Sequence, residues 1–267
     1  MKKIFAAVLA MMLLMTGMAM AETTDASVQN ILDKKTFILG LDDSFPPMGF
    51  RDENNDIVGF DIDIATAVCE KLGVEFIAQP IAWDSKELEL ASGNIDCIWN
   101  GMSITPEREE SMSMTFAYLN NAMVLYTKIG SGITTTDELA GKVVAVQNGS
   151  YAEDLMNGDY AELAATLKEV IGFDEYLTAL MDLQAGGCDA VLIDLVVGDY
   201  KVNGMGATDL EPSITLADDN YGIGFRKEDV ALRDKVQEIL VDLKQDGTLG
   251  EISTKWFGSD ITVVPAN

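Results

Sequence analysis

Residues Ile95 to Arg108 read IDCIWNGMSITPER. The apolar start is the pattern of a short buried strand. A loop of small polar residues follows, holding Asn100, Gly101 and Ser103, and then a helix begins. Thr105 has the side-chain oxygen of an N-cap, and Pro106 stands at the first helical position, where its missing N–H costs nothing. Arg108 therefore falls in the first helical turn. A cation there faces the positive end of the helix dipole, unfavourable by roughly a few tenths of a kcal/mol. Glu107, Glu109 and Glu110 offset that, so an exposed surface arginine is one reading. The other is that Arg108 sits beside free backbone N–H groups to grip an anion. A guanidinium fork matches a carboxylate bidentately.

The strand–loop–helix pattern repeats along the chain. Strands are expected at Thr36–Leu41, Val74–Ala78, Ala122–Lys128, Lys142–Gln147, Leu167–Ile171, Asp189–Ile193 and Tyr221–Phe225. Helices are expected at Asp61–Leu72, with Gly73 as its C-cap, and at Asp84–Ala91, Phe173–Ala185, Val230–Lys244 and Leu249–Trp256. Strands alternating with helices imply an α/β fold with mainly parallel pairing. In such sheets ligands sit beyond the carboxyl ends of strands.

The N-terminus reads as a segment to be removed. Lys2 and Lys3 precede an apolar run from Ile4 to Met18, and Ala19-Met20-Ala21 is a small-x-small cleavage site. This is the pattern of a secretory signal peptide, residues 1–21, and it predicts an exported, periplasmic protein, with secretion as the second choice. The full chain carries 18 basic and 44 acidic residues, a net charge of −26. Losing Lys2 and Lys3 with no acid takes it to −28. Such a chain repels nucleic acid. It has no histidine, which removes Ser-His-Asp and Cys-His catalysis and every histidine-based metal site. Cys69, Cys97 and Cys188 lie in apolar contexts and read as buried free thiols. We expect no metal and no cofactor.

Five places gather polar or aromatic groups at expected strand ends. They are Asp42 to Phe45, Trp83, the Asn100–Arg108 stretch, Gln147 to Tyr151, and Asp194. In the fourth, Ser150 can cap a helix whose first N–H groups are free. In the fifth, an acid after DAVLI needs a cationic partner if it is buried. The set pairs one fixed cation with one fixed anion. A zwitterion satisfies both, which points to an α-amino acid.

These segments carry a resemblance that covers essentially the whole chain after residue 21. GFDIDIATAVCEKLG from Gly59, DDSFPPMGF from Asp42, NGMSITPER, GKVVAVQNGS from Gly141, DAVLID from Asp189 and KWFG from Lys255 stand in the order seen in extracytoplasmic solute-binding proteins of polar amino acid ABC transporters. The chain resembles that family. The resemblance implies a two-lobed, type II periplasmic binding protein fold with two strand crossovers between lobes. Residues 35–124 and 221–267 would form one lobe and 125–220 the other. Arg108 would hold the ligand carboxylate, helped by Ser103 and by backbone at Gly101 and Ser150. Asp194 would hold the α-ammonium. Phe45 and Trp83 would sandwich the side chain, and Asp42 would read its head with Asn100 or Gln147. Tyr151 departs from the small or hydroxyl residue common at its place.

A monomer that closes on an amino acid and docks on a membrane permease follows from that resemblance. Asp42, the aromatic walls and the acidic chain favour arginine, lysine or ornithine, with glutamine or cystine as the neutral alternatives. Two rivals share the fold: an exported dehydratase of cyclic carboxylic acids, which needs a general acid such as glutamate in the cleft, and a binding protein that serves a sensory receptor.

Overall fold

The computed structural model describes residues 25–266. The expected signal peptide lies outside those residues. Among the described residues are twelve strands: β1 (Thr36–Leu41), β2 (Ser44–Phe45), β3 (Gly49–Arg51), β4 (Ile57–Val58), β5 (Glu75–Pro80), β6 (Cys97–Ser103), β7 (Ser113–Met114), β8 (Leu119–Lys128), β9 (Val143–Gln147), β10 (Glu169–Phe173), β11 (Ala190–Asp194) and β12 (Leu210–Phe225). Nine of them make one sheet, in the order β10-β9-β11-β8-β12-β6-β1-β5, with β7 on β12. The outer thirds are all parallel: β5-β1-β6 on one side and β10-β9-β11 on the other. β6, β9 and β11 are buried along their whole length, which is why β9 and β11 read as apolar runs up to their last residue.

The middle of the sheet makes the two lobes. β8 carries the chain from the first half to the second and β12 brings it back. The two pair antiparallel from Leu119↔Tyr221 to Lys128↔Leu210. This is the two-lobed α/β architecture with two strand crossovers. Because both crossing strands run against their neighbours, the sheet is mixed, and the expectation of mainly parallel pairing holds only for its outer thirds.

The Phe60–Leu72 helix shows how the first half is built. Phe60, Ile64, Ala65, Val68 and Cys69 bury one face, and Gly73 ends the helix in the left-handed conformation. The Val230–Gln245 and Thr248–Phe257 helices pack with it. All three cysteines are buried and free. Burial pushes the Cys69 and Cys188 thiols up to about 12, so neither is a reactive thiolate.

Some expected boundaries move. Asn100, Gly101 and Ser103 are not in a loop, because β6 runs through Ser103. Trp83–Ser85 is a 3₁₀ turn before a short helix, Lys86–Ala91. Phe173 belongs to β10, and its helix starts at Tyr176. β12 begins eleven residues before Tyr221, at Leu210.

Candidate functional site

Between the two halves of the sheet lies a narrow cavity. It is lined by Asp42, Phe45, Trp83, Asn100, Gly101, Ser103, Arg108, Gln147, Ser150, Tyr151, Tyr176 and Asp194. All eleven residues singled out in the sequence stand on this one wall, and Tyr176 joins them.

Arg108 comes from the first half. Thr105 accepts from the Arg108 N–H, so the N-cap fixes where the side chain starts. Arg108 is 6% exposed, and its Nη1 donates to Ser103 O at 3.0 Å. Nη2 lies 3.5 Å from Asp154 of the second half. Two other expected partners of an anion are already engaged. Gly101 N–H donates to Asp61 Oδ2 at 2.8 Å, which leaves Gly101 only its carbonyl to offer. Ser150 N–H reaches back to Gln147 O at 3.3 Å. Ser150 Oγ caps the following helix by accepting from Glu153 N–H, donates to Gln147 O, and accepts from Tyr176 OH.

Gly101 has φ +57°, and a Cβ there would lie 2.7 Å from Phe45 Cε1. Glycine is required on both counts, and it is what lets the Phe45 ring pack on the β6 backbone that floors the cavity. Beneath that floor is Asp61, fully buried, which also accepts from Tyr118 OH. Burial pushes its carboxyl up to about 7.

Asp194 comes from the second half, as the last residue of β11. The expectation that its burial demands a cationic partner is not met inside the protein. It accepts instead from Asn121 Nδ2 at 2.7 Å and Tyr221 OH at 2.7 Å. A second buried acid, Asp219, takes the other bond of the same Asn121 Nδ2 at 2.8 Å and accepts from Ser103 Oγ at 2.9 Å. Burial, then the neighbouring Asp219 charge, raise the Asp194 carboxyl; burial raises Asp219 as well. Asp219, Asn121, Tyr221 and Tyr176 were not found from the sequence. Asp219 and Asn121 are polar residues of the crossing strands, and only the pairing of β8 with β12 brings them to Asp194.

Asp42 occupies the third end of the cavity. Its Oδ1 accepts from Ser44 N–H and Oγ, and its Oδ2 accepts from Gln147 Nε2 at 2.7 Å. Burial raises its carboxyl, the donors oppose this, and the Glu175 charge adds to the rise. Asn100 Oδ1 accepts from Asp42 N–H, while its buried Nδ2 has no acceptor. Phe45 and Tyr176 rings lie 5.9 Å apart across the cleft. Tyr151 is half-buried at the rim.

Lys86 closes the mouth. It is 2% exposed, lies 5.1 Å over the Trp83 ring, and donates to Gly149 O across the cleft at 2.7 Å. Burial lowers its ammonium, and the Arg108 charge lowers it further.

The arrangement offers a cation, a paired acid and a second acid around one cavity between the two halves of the sheet. Residues 37–259 match the family model described as bacterial extracellular solute-binding proteins, family 3, and the chain belongs to that family. An L-cystine-binding protein of Escherichia coli K12 is 28% identical over 252 residues, 93% of each chain. ABC transporter arginine-binding protein 1 of the same organism is 32% identical over 225 residues, 82% of this chain and 89% of that one. A crystal structure of an ABC uptake transporter substrate-binding protein from Streptococcus pneumoniae with bound histidine superposes with a TM-score of 0.86 and is 38% identical. That match covers 90% of this chain and 99% of the other.

Proposed function

We propose that this chain is an amino-acid-binding protein of an ABC transporter. It captures a polar, basic L-amino acid between its lobes and delivers it to a membrane permease. One observation carries the reading: the Arg108 guanidinium and the Asp194 carboxylate enter one buried cavity from opposite halves of the sheet. A zwitterion bridges them only when the lobes are closed, so its binding free energy falls selectively on the closed state. In this reading Arg108 and Ser103 take the carboxylate with the free N–H groups at the helix start after Ser150. Asp194 and the Gly101 carbonyl take the ammonium. Phe45, Trp83 and Tyr151 wall the side chain, and Asp42, Asn100 and Gln147 meet its head.

The lobes we assign are 35–124 with 221–267, and 125–220. The protein acts as an exported monomer, cleaved after residue 21.

The test is a thermal-shift screen of residues 22–267, after unfolding and refolding to strip carried-over ligand. Standard amino acids, ornithine, cystine, dicarboxylates, sugars and prephenate are tried. A ligand at about a hundred times its Kd adds roughly 2.7 kcal/mol. A response confined to arginine, lysine or ornithine supports the full reading. A response to glutamine or cystine keeps the class and overturns the basic ligand. Silence from every amino acid overturns capture.

A further inference from the structure

Asp194 and Asp219 come from different parts of the chain and meet on one side chain. The single Asn121 Nδ2 donates to Asp194 Oδ1 at 2.7 Å and to Asp219 Oδ2 at 2.8 Å. Both acids are buried, at 5% exposure each. Their remaining donors are Tyr221 OH and Ser103 Oγ, with Asn220 N–H on Asp219 Oδ1. All of these are neutral. Two carboxylates held on one amide repel each other, and a buried pair of this kind keeps a proton that separate carboxylates would lose.

The charged and titratable groups around the pair do not change this. From the Pro106–Ser111 helix, Arg108 faces Asp219 and favours its ionised form, one cation for two acids. The phenols of Tyr151, Tyr176 and Tyr221 face the pair from two second-half helices and from β12. Burial raises all three, so they stay neutral. Asp218 is exposed on the opposite face of β12. Asp42 and Asp61, the other raised carboxyls at the cavity, bond to other partners.

We infer that Asp219 is a positioning residue of the ammonium end, paired with Asp194 through Asn121 so that the ligand-free site holds one shared proton which the incoming α-ammonium displaces into solvent. This rests on the reading of the cavity as an amino acid site. Asp219 acts through Ser103 and Asn121, one from each side of the crossing, and so links the ammonium end to the hinge strands. It also selects for a charged amine: an N-acetyl amino acid has no cation with which to replace the proton.

The sign follows from linkage. Below the pH at which the free pair loses its proton, binding releases that proton, so affinity rises with pH; above it, affinity is flat. For one proton the rise is at most about tenfold per pH unit.

The experiment is calorimetry of the amino acid found in the thermal-shift screen, from pH 5 to 8, in two buffers of different ionisation heat. The expected result is close to one proton released per ligand at pH 5–6 and a Kd that tightens up to pH 7. Asp219→Asn should lose most of the proton release and of the slope, Asp219→Glu should restore both, and Asp218→Asn should match the parent. If Asp219→Asn does not fold, Asn121→Ser removes the shared donor and should move the sloping region to higher pH. Binding with no proton release, a parental slope in Asp219→Asn, or an unmoved profile in Asn121→Ser overturns the pairing while leaving the amino acid site intact. No binding of any amino acid at any pH overturns the site and the pairing together.

Discussion

Gly149→Ala is a test of closure that leaves every cavity-lining side chain in place. Gly149 sits on the second half of the sheet, in the turn before the Tyr151–Asn157 helix, with φ +68°. A Cβ built there lies 2.7 Å from Asp84 Cα of the first half. Ordinary Cβ contacts begin near 3.4 Å. The obstacle is backbone, so no rotamer change relieves it, and the lobes must part locally. The first bond lost is the one from Lys86 Nζ to Gly149 O, now 2.7 Å. A buried hydrogen bond from a charged donor contributes about 1.5–3 kcal/mol. The closed state should therefore lose about that much, which weakens binding about 10- to 100-fold. A separate cost of about 1 kcal/mol, for alanine in the left-handed region, falls on open and closed forms alike and lowers Tm by about 2–4 °C. Calorimetry reads the first effect, thermal melting the second, and small-angle scattering whether ligand still compacts the protein. An alanine variant that binds within twofold of the parent and compacts normally would refute the closed-cleft reasoning, whatever its Tm.

Three further outcomes are expected. Asp194→Ala should weaken binding of any amino acid more than a hundredfold in calorimetry, because Arg108 still holds the carboxylate but the lobes lose their bridge; normal binding would mean that the site is misassigned. Asp42→Asn should cost a cationic ligand about 2–5 kcal/mol and a neutral one far less, measured as the ratio of the two Kd changes. Asp61→Asn should flatten the pH dependence of stability. The parent carboxyl keeps its proton up to about 7, against an ordinary value of 3.8, so the unfolded chain ionises first and stability falls as pH rises between those values, by up to about 4 kcal/mol. Melting at pH 4, 6 and 8 checks this, and an equally steep fall in the variant would be the contrary result.

The cavity wall was legible because its residues follow strand ends, and strand ends are marked by where apolar runs stop. Asp42, Gln147 and Asp194 each close such a run. Thr105 and Pro106 mark the helix that carries Arg108. The crossing strand β12 was legible only from Tyr221 onward. Its first part, LEPSITLADDN, holds Pro212 and two adjacent acids, which argue against a strand. It is one because β8 offers a long partner edge and the register shifts beside Pro212 and again between Thr215 and Ala217 absorb the misfits. Asp219 was lost with that stretch. Tyr176 was missed for a different reason: YLTALMDLQA reads as a core helix, and it is one, but its first residue also reaches Ser150.

The charges of the closed cavity bear on which amino acid the clamp prefers. With all acids ionised, Asp42, Asp194 and Asp219 contribute three negative charges and Arg108 one positive. Lys86 does not help, since its ammonium points at the Gly149 carbonyl and Glu87 at the mouth. A zwitterion with a neutral side chain adds equal and opposite charges, and the deficit stays. The α-ammonium relieves the Asp194 end, while Asp42 keeps only neutral donors and Glu175 adds to its negative field. A guanidinium or ammonium on the ligand side chain relieves the Asp42 end directly, and only when the lobes are shut around it. Under our reading a basic amino acid therefore shifts the open–closed balance further than glutamine of similar length, and the difference should vanish in Asp42→Asn.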